Sequence, residues 1–152
     1  MKNYKFLSLL LLISLQPLSA QKQENYYFSK TLNGTFEEVA GNVKSVLKEQ
    51  GFGVITEIDM DAKLKEKLDD IEMNRYKILG VCNPSFANQA IQAEENIGLF
   101  LPCKVLVKDL GNSNIEVVMV NTVVLMGMLG NNELDDIAAK VNDTFNAALQ
   151  KL

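Results

Sequence analysis

The chain has 152 residues, of which 47% are hydrophobic, and it carries 15 basic and 19 acidic side chains and no histidine. The lack of histidine excludes a Ser-His-Asp triad and a histidine-based zinc site. The acidic balance, without a basic stripe, argues against nucleic acid as a partner. No cofactor motif and no catalytic constellation emerges, so we expect a non-enzymatic protein without a cofactor.

The first segment has the layout of a cleaved secretory signal. Lys2 and Lys5 precede an apolar run of 10 residues, 6–15, and a small-residue end at Ala20. A membrane-spanning helix requires about 20 apolar residues, so an uncleaved anchor is the weaker alternative. We expect a signal peptide over residues 1–20 and export to the periplasm or the extracellular space. What remains has no candidate membrane span.

The remaining 132 residues, 21–152, are expected to form a single α+β domain, which is long enough to bury its own core. Without the two lysines of the signal its net charge is −6. The stretch "YYFSKTL" (26–32) predicts a first strand. Thr35 and Glu38 form a capping box that predicts the start of a helix, and Gly51 is typical of its end.

A second strand is predicted over "FGVITEI" (52–58), and a short helix capped by Asp59 follows it. Acidic residues surround this short helix, and lysines are interleaved with them. Their spacing fits no EF-hand calcium loop. We therefore predict a solvated charged face, formed by Asp59, Asp61, Asp69, Asp70 and Glu72.

The stretch "RYKILGVC" (75–82) predicts a third strand. Asn83 and Pro84 then predict a helix start, with asparagine at the N-cap and proline at the first helical position. Two more strands, 104–110 and 115–121, are joined by "GNSN", which is typical of an antiparallel hairpin.

A closing helix, capped by Asn132, carries an apolar stripe that is expected to lie on the sheet. The predicted order is β-α-β-α-β-α-β-β-α. This order indicates an α+β fold, a two-layer sandwich in which a mainly antiparallel sheet has helices on one face.

An apolar segment, "TVVLMGMLG" (122–130), separates the last strand from the closing helix. It is too short to cross a bilayer. It either extends the sheet or covers an apolar surface, and that surface could belong to a second copy of the chain. We predict a homodimer with Leu125, Met126 and Met128 as interface residues.

Four parts of the sequence carry a resemblance to a known family. "GFGVITEIDM", "YKILGVCNPSFANQA", "IGLFLPCKVLV" and the closing helix, in this order, resemble the domain of unknown function 302 family. The resemblance extends from about Tyr26 to the C-terminus, and its most specific element is the Cys-Asn-Pro and Leu-Pro-Cys pair. It implies a small α+β domain that sometimes self-associates and has no established reaction. The segment after Asn121 departs from the family, where a more polar, proline-containing passage is expected.

The chain has two cysteines, Cys82 before Asn83 and Pro84, and Cys103 after Pro102. Cys82 directly precedes a predicted helix, and the positive end of a helix dipole lowers the pKa of a nearby thiol. If the third and fourth strands are antiparallel neighbours, the two sulfurs come within bridging range. We take Cys82 and Cys103 as the candidate thiol site, supported by Asn83, Pro84 and Pro102.

Three interpretations of this thiol site remain open. A structural disulfide suits an exported chain, and closing a loop of about 20 residues would stabilise the fold by roughly 3 kcal/mol. The cysteines could instead be buried and unpaired. Third, they could be a redox pair or soft ligands for a metal such as Cu(I). Met126 and Met128 are the tempting further ligands, although methionines in an apolar run are more typical of packing.

The sequence thus favours an exported, non-enzymatic module that binds an unknown small ligand or protein partner and self-associates. The alternative function is a thiol-dependent redox or copper-handling protein that uses Cys82 and Cys103. The spacing of these cysteines differs from the Cys-x-x-Cys motif of common dithiol oxidoreductases. The sequence does not identify a metal.

Overall fold

A computed structural model describes residues 25–152. The predicted signal peptide, residues 1–20, lies outside the described residues. In chain order the elements are β1 (Tyr27–Asn33), α1 (Phe36–Glu49), β2 (Gly53–Asp59), α2 (Met60–Lys67), β3 (Tyr76–Cys82), α3 (Pro84–Ala93), β4 (Cys103–Asp109), β5 (Asn114–Val120), α4 (Thr122–Gly127) and α5 (Asp135–Lys151), with short 3-10 helices at Glu95–Leu99 and Asn132–Leu134.

The strands form one sheet in the order β1-β5-β4-β3-β2, and every neighbouring pair is antiparallel. The predicted α+β architecture is confirmed. β4 is the central strand and β2 is an edge strand. The pairing of β2 with β3 shifts register between Val54 and Thr56, so Ile55 is the extra residue of a β-bulge.

One face of the sheet carries the helices and the main hydrophobic core. The predicted capping box is present: Oγ1 of Thr35 accepts a hydrogen bond from the backbone N–H of Glu38, and the Glu38 carboxylate accepts one from the N–H of Thr35. α1 and α5 both pack on the sheet. Between them the rings of Phe52 and Phe145 lie 5.0 Å apart, and both side chains are buried.

The apolar segment 122–130 begins as helix α4 and does not extend the sheet. The side chain of Asn121 caps α4 by accepting a hydrogen bond from the N–H of Val124 at 3.3 Å. The buried hydroxyl of Thr122 donates to the carbonyl oxygen of Ala138 at 2.8 Å, which fastens α4 to α5. Among the described residues, no helix is long and apolar enough to cross a membrane.

The start of the closing helix differs from the prediction, because no side chain caps α5 and the 3-10 helix before it is capped by Asn131 rather than Asn132. The side-chain oxygen of Asn131 accepts a hydrogen bond from the N–H of Glu133 at 3.0 Å, which opens the short 3-10 helix before α5. Its amide nitrogen donates to the carbonyl oxygen of Ala93 at 3.0 Å. Asn131 therefore also connects this turn to the end of α3.

The prediction that all the acidic residues around α2 form a solvated face is wrong for Asp61, which is only 5% exposed. Its carboxylate accepts a hydrogen bond from the N–H of Tyr76 at 3.2 Å and lies 3.6 Å from Nε of Arg75. Asp59 precedes α2 as predicted, but its side chain makes no capping hydrogen bond and pairs with Lys77 at 3.0 Å.

Candidate functional site

The two cysteines lie on neighbouring strands at one end of the sheet. In the β3–β4 ladder Cys103 is paired with Val81, the residue that precedes Cys82. Successive side chains of a strand point to opposite faces. By this alternation Cys103 shares the helix-covered face with Val81, and Cys82 belongs to the other face. The sequence therefore placed both cysteines at the same end correctly, but it missed this separation by face.

Both cysteines are free thiols in the structure, so the disulfide favoured by the sequence is not observed. Cys103 is buried in the core, and this burial raises the pKa of its thiol from 9.0 to about 11, with a smaller contribution from nearby Cys82. At neutral pH the Cys103 sulfur is therefore protonated. A thiol with a raised pKa forms less of the thiolate, which is the nucleophilic form.

Asn83 and Pro84 begin α3 as the sequence predicts. The Asn83 side-chain oxygen accepts hydrogen bonds from the N–H groups of Ser85 and Phe86, at 3.0 and 3.2 Å. Its amide nitrogen donates to the carbonyl oxygen of Gly51 at 3.0 Å. These contacts satisfy every polar atom of the side chain with backbone groups, so they indicate a structural role for Asn83.

Pro102 packs across the sheet against Gly80. A Cβ atom on Gly80 would lie 2.7 Å from Cγ of Pro102 and would also meet Oγ1 of Thr56. Glycine is required at this point of β3 because the side chains of Thr56 and Pro102 together occupy the space that a Cβ atom would need. Pro102 thus contributes to the packing beside the thiol site.

The predicted interface residues of the segment 122–130 occupy three different environments. Met126 is 4% exposed and belongs to the chain's own core, whereas Met128 is 77% exposed and Leu125 is half-buried. The segment thus covers the chain's own core through Met126. Of the three side chains, Met128 is the most accessible to a partner.

The face of the sheet opposite the helices carries a continuous apolar row that the sequence interpretation missed. The ladders align Ile58 with Ile78, Ile78 with Leu106, and Leu106 with Val118 across four strands. None of these side chains belongs to the main core cluster. We name this row the second-face row.

Exposure along the second-face row falls from the edge of the sheet towards the interior. Ile58 is 39% exposed, Ile78 and Leu106 are half-buried, and Val118 is 7% exposed. Val118 is the one buried hydrophobic residue, among those described, that lies outside the core cluster.

Charged residues flank the second-face row on both sides. On one side Lys108 and Glu116 face each other across the ladder and form an ion pair, which lowers the pKa of the Glu116 carboxyl. On the other side Lys104 is exposed, and its ammonium donates to the carbonyl oxygen of Pro102. Within residues 25–152, no carboxylate forms an ion pair with Lys104.

A signal for the second-face row exists in the sequence. Val105, Leu106 and Val107 are consecutive in β4, and Val117, Val118 and Met119 are consecutive in β5. A strand that is solvated on one face alternates apolar and polar residues, whereas a continuous apolar run is typical of strands buried on both faces. With helices on one face only, these runs already indicated a second apolar surface.

Comparison with protein-family models shows which family this chain belongs to. The family model described as "Domain of unknown function DUF302" matches residues 28–152. The chain belongs to the DUF302 family. The match includes both cysteines and the whole second-face row, and it agrees with the resemblance identified from the sequence motifs.

A solved structure supports the same assignment. The DUF302 chain described here is similar to the "uncharacterized conserved protein DUF302 from Bacillus stearothermophilus", known from a crystal structure. The two sequences are 29% identical, the TM-score is 0.78, and the similarity covers 84% of this chain and 98% of the other. A search of curated proteins finds no match.

The described part of this DUF302 chain contains no group of three or more cysteine or acidic side chains arranged to hold a metal ion. The two cysteines by themselves supply only two of the ligands that a closed soft-metal site requires. Met126, whose place in an apolar run favoured packing over metal binding, lies in the core.

Proposed function

We propose that this DUF302 protein is an exported, non-enzymatic module that self-associates and binds a small ligand or a protein partner through an apolar surface. The single observation that carries the proposal is the second-face row, Ile58, Ile78, Leu106 and Val118, which lies outside the core cluster and is 39% exposed at Ile58. Contiguous exposed apolar surface is typical of interaction sites.

The thiol site supports a binding role over a catalytic one. A catalytic thiol acts as the thiolate, and burial raises the pKa of the Cys103 thiol, which disfavours that form. Asn83, beside Cys82, has all its polar atoms engaged in capping and bridging hydrogen bonds. Because all the polar atoms of Asn83 are engaged in these bonds, Asn83 has a structural role beside Cys82.

The binding proposal is tested with an apolar dye, anilinonaphthalene sulfonate, which fluoresces on exposed hydrophobic surface. We expect residues 21–152 to bind the dye, or to bury the same surface in an oligomer that dissociates on dilution. The matched variants are Leu106→Gln, on the second-face row, and Leu99→Gln, on a 3-10 helix, where Leu99 is 87% exposed. If Leu106→Gln changes neither the dye fluorescence nor the oligomer, the second-face row has no binding role.

Export is tested separately by isolating the full chain from cells and measuring its N-terminus and mass. Cleavage after Ala20 is expected, because the lysines, the short apolar run and the small residues at 19–20 together form a processing site. A cytosolic protein with an intact N-terminus would contradict this part of the proposal without affecting the binding role.

A second candidate function is thiol-dependent redox or copper handling, favoured by the proximity of Cys82 to Cys103 at one end of the sheet. It is distinguished by counting free thiols in the isolated protein with and without reductant, and by measuring bound copper. The binding module is expected to contain no stoichiometric copper. A readily reduced disulfide or one copper ion per chain would favour the alternative.

A further inference from the structure

The chain between β2 and β3, residues 60–74, contributes no side chain to the hydrophobic core. It consists of α2 and the loop that returns to β3. Among the described residues, neither the core cluster nor the half-buried hydrophobic residues packed against it include a member of this range. In contrast, α1 and α5 each bury six side chains. We name residues 60–74 the strap.

The only buried side chain of α2 is a carboxylate, that of Asp61. It accepts a hydrogen bond from the N–H of Tyr76 at 3.2 Å and lies 3.6 Å from Nε of Arg75. Within residues 25–152, the side-chain hydrogen bond and the ion pair that join the strap to the rest of the chain are both made by Asp61, because the other ion pairs of α2 lie within the helix. We name Asp61, Arg75 and the N–H of Tyr76 the clasp.

Arg75 is anchored to the rest of the fold independently of the strap. Its guanidinium lies 2.7 Å from the carboxylate of Glu37 and stands over the ring of Phe36, 4.4 Å from the ring centre, and both of these residues belong to the start of α1. Its carbonyl oxygen accepts a hydrogen bond from the N–H of Asp109 at 2.9 Å. These contacts would keep Arg75 in place when Asp61 moves away, so the clasp can open without disturbing β3.

α2 depends on the clasp for its helical structure. It has eight residues, and isolated helices shorter than about 12 residues are only marginally stable in water. Its N-cap residue, Asp59, makes no capping hydrogen bond. An open cavity of about 620 Å³ lies between α2 and the returning loop, lined by Lys65, Ile71, Glu72, Met73 and Asn74. The two halves of the strap therefore give each other little support.

We propose that the strap opens as one unit while the sheet and the core remain folded, and that the clasp controls how often it opens. Segments with few buried apolar contacts open locally at a lower free energy than the whole domain. The base of the strap stays closed, because Asp59 and Lys77 are paired in the β2–β3 ladder and form an ion pair at 3.0 Å. Opening therefore exposes the backbone of residues 60–74 and leaves the five-stranded sheet intact.

Trypsin digestion of the native protein tests this proposal. Lys63 and Lys65 lie inside α2 with exposed side chains, and a protease cuts a helix only after it has opened. The protein isolated from cells is treated with trypsin, and the first cuts are identified by mass. We expect them after Lys63 and Lys65. Cuts after Lys48 in α1 and Lys140 in α5, which are also exposed, should come later because these helices are held by the core.

Two variants distinguish local opening from unfolding of the whole domain. Asp61→Ala removes both contacts of the clasp, so it should raise the rate of cleavage after Lys63 and Lys65 by about tenfold. Val141→Ala is the matched control, since it leaves the clasp intact and destabilises the core, where Val141 is buried on α5. It should leave cleavage in the strap unchanged. Equal increases in the two variants would overturn the proposal, because cleavage would then require global unfolding.

The wild-type protein provides a second measurement that depends on no variant. The sensitivity of an opening reaction to urea scales with the surface that the reaction exposes. Below the unfolding transition, cleavage after Lys65 should therefore rise only slightly with urea, whereas cleavage after Lys48 should rise steeply. The same urea dependence at both sites would show that the strap does not open as a separate unit. An unchanged rate of strap cleavage in Asp61→Ala would show that the clasp does not control it.

Discussion

The amide nitrogen of Asn83 donates a hydrogen bond to the carbonyl oxygen of Gly51 at 3.0 Å, which connects the start of α3 to the end of α1. The same side chain caps α3. Replacing Asn83 with alanine should therefore lower the free energy of unfolding by about 2 kcal/mol, from the lost cap and the lost bridge. The measurement is the urea unfolding curve.

Two further variants separate the two contributions of Asn83. Asn83→Asp keeps an oxygen that caps α3 but lacks the donor to Gly51, so its loss should be about half as large. Asn88→Ala, at an exposed position of the same helix, is the control and should leave stability nearly unchanged. Equal losses for Asn83→Ala and Asn83→Asp would show that the cap contributes nothing.

The raised pKa of Cys103 makes stability dependent on alkaline pH. Burial raises the pKa of this thiol in the folded state from 9.0 to about 11. The unfolded chain therefore releases the proton first as pH rises. This contribution to stability is fully present below pH 9 and is lost between pH 9 and about 11. The expected loss is about 2 kcal/mol.

This pH dependence is measured as the difference between wild type and Cys103→Ala, because lysine and tyrosine residues titrate in the same range in both proteins. The stability difference between the two should narrow as pH rises from 9 to about 11. Iodoacetamide at pH 8 should also modify Cys82 faster than Cys103 in the native protein. A constant stability difference would show that the Cys103 thiol is not shielded from ionisation.

The buried carboxylate of Asp61 is expected to be important for stability. Asp61→Ala removes the acceptor of the Tyr76 N–H and the partner of Arg75, so unfolding should become easier by about 1 to 3 kcal/mol. Asp61→Asn keeps an acceptor oxygen and should lose less. Asp69→Ala, at an exposed position, is the control for thermal unfolding. Equal behaviour of Asp61→Ala and Asp69→Ala would rule out this role.

Two glycine-to-alanine substitutions are expected to have opposite effects. Gly80→Ala should destabilise by about 1 to 3 kcal/mol, because its Cβ would lie 2.7 Å from Cγ of Pro102 and would also meet Thr56. Gly41→Ala should stabilise by up to about 1 kcal/mol, since Gly41 lies within α1 with open space around it. The midpoint of thermal unfolding tests both, and the same sign for the two would refute the packing explanation.

Much of this fold follows from local signals in the sequence. The Thr35–Glu38 box, the Asn83–Pro84 start and the Gly51 end act within one helical turn, so they could be recognised without tertiary information. α4 could not be recognised, because its apolar residues have no helical spacing and the bond that connects it to Ala138 in α5 is a tertiary contact. Asp61 was misjudged for the same reason, since Arg75 and Tyr76 lie beyond a loop.

The candidate site was only partly predictable. The sequence placed Cys82 and Cys103 at one end of the sheet, but only the pairing of Cys103 with Val81 reveals that they belong to opposite faces. If the pairing were shifted by one residue, so that Cys103 faced Cys82, the two cysteines would belong to the same face. The second-face row is likewise a property of register, because Ile58, Leu106 and Val118 are far apart in the chain.

The bulge at Ile55 limits how this molecule can aggregate. A regular edge strand offers its free N–H and C=O groups to any other strand, and chains can then join edge to edge into ribbons and fibrils. In β2 the extra residue bends the backbone, and the acidic side chains of Glu57 and Asp59 stand along the same strand. This edge of the sheet is therefore expected to resist pairing with a strand of another molecule.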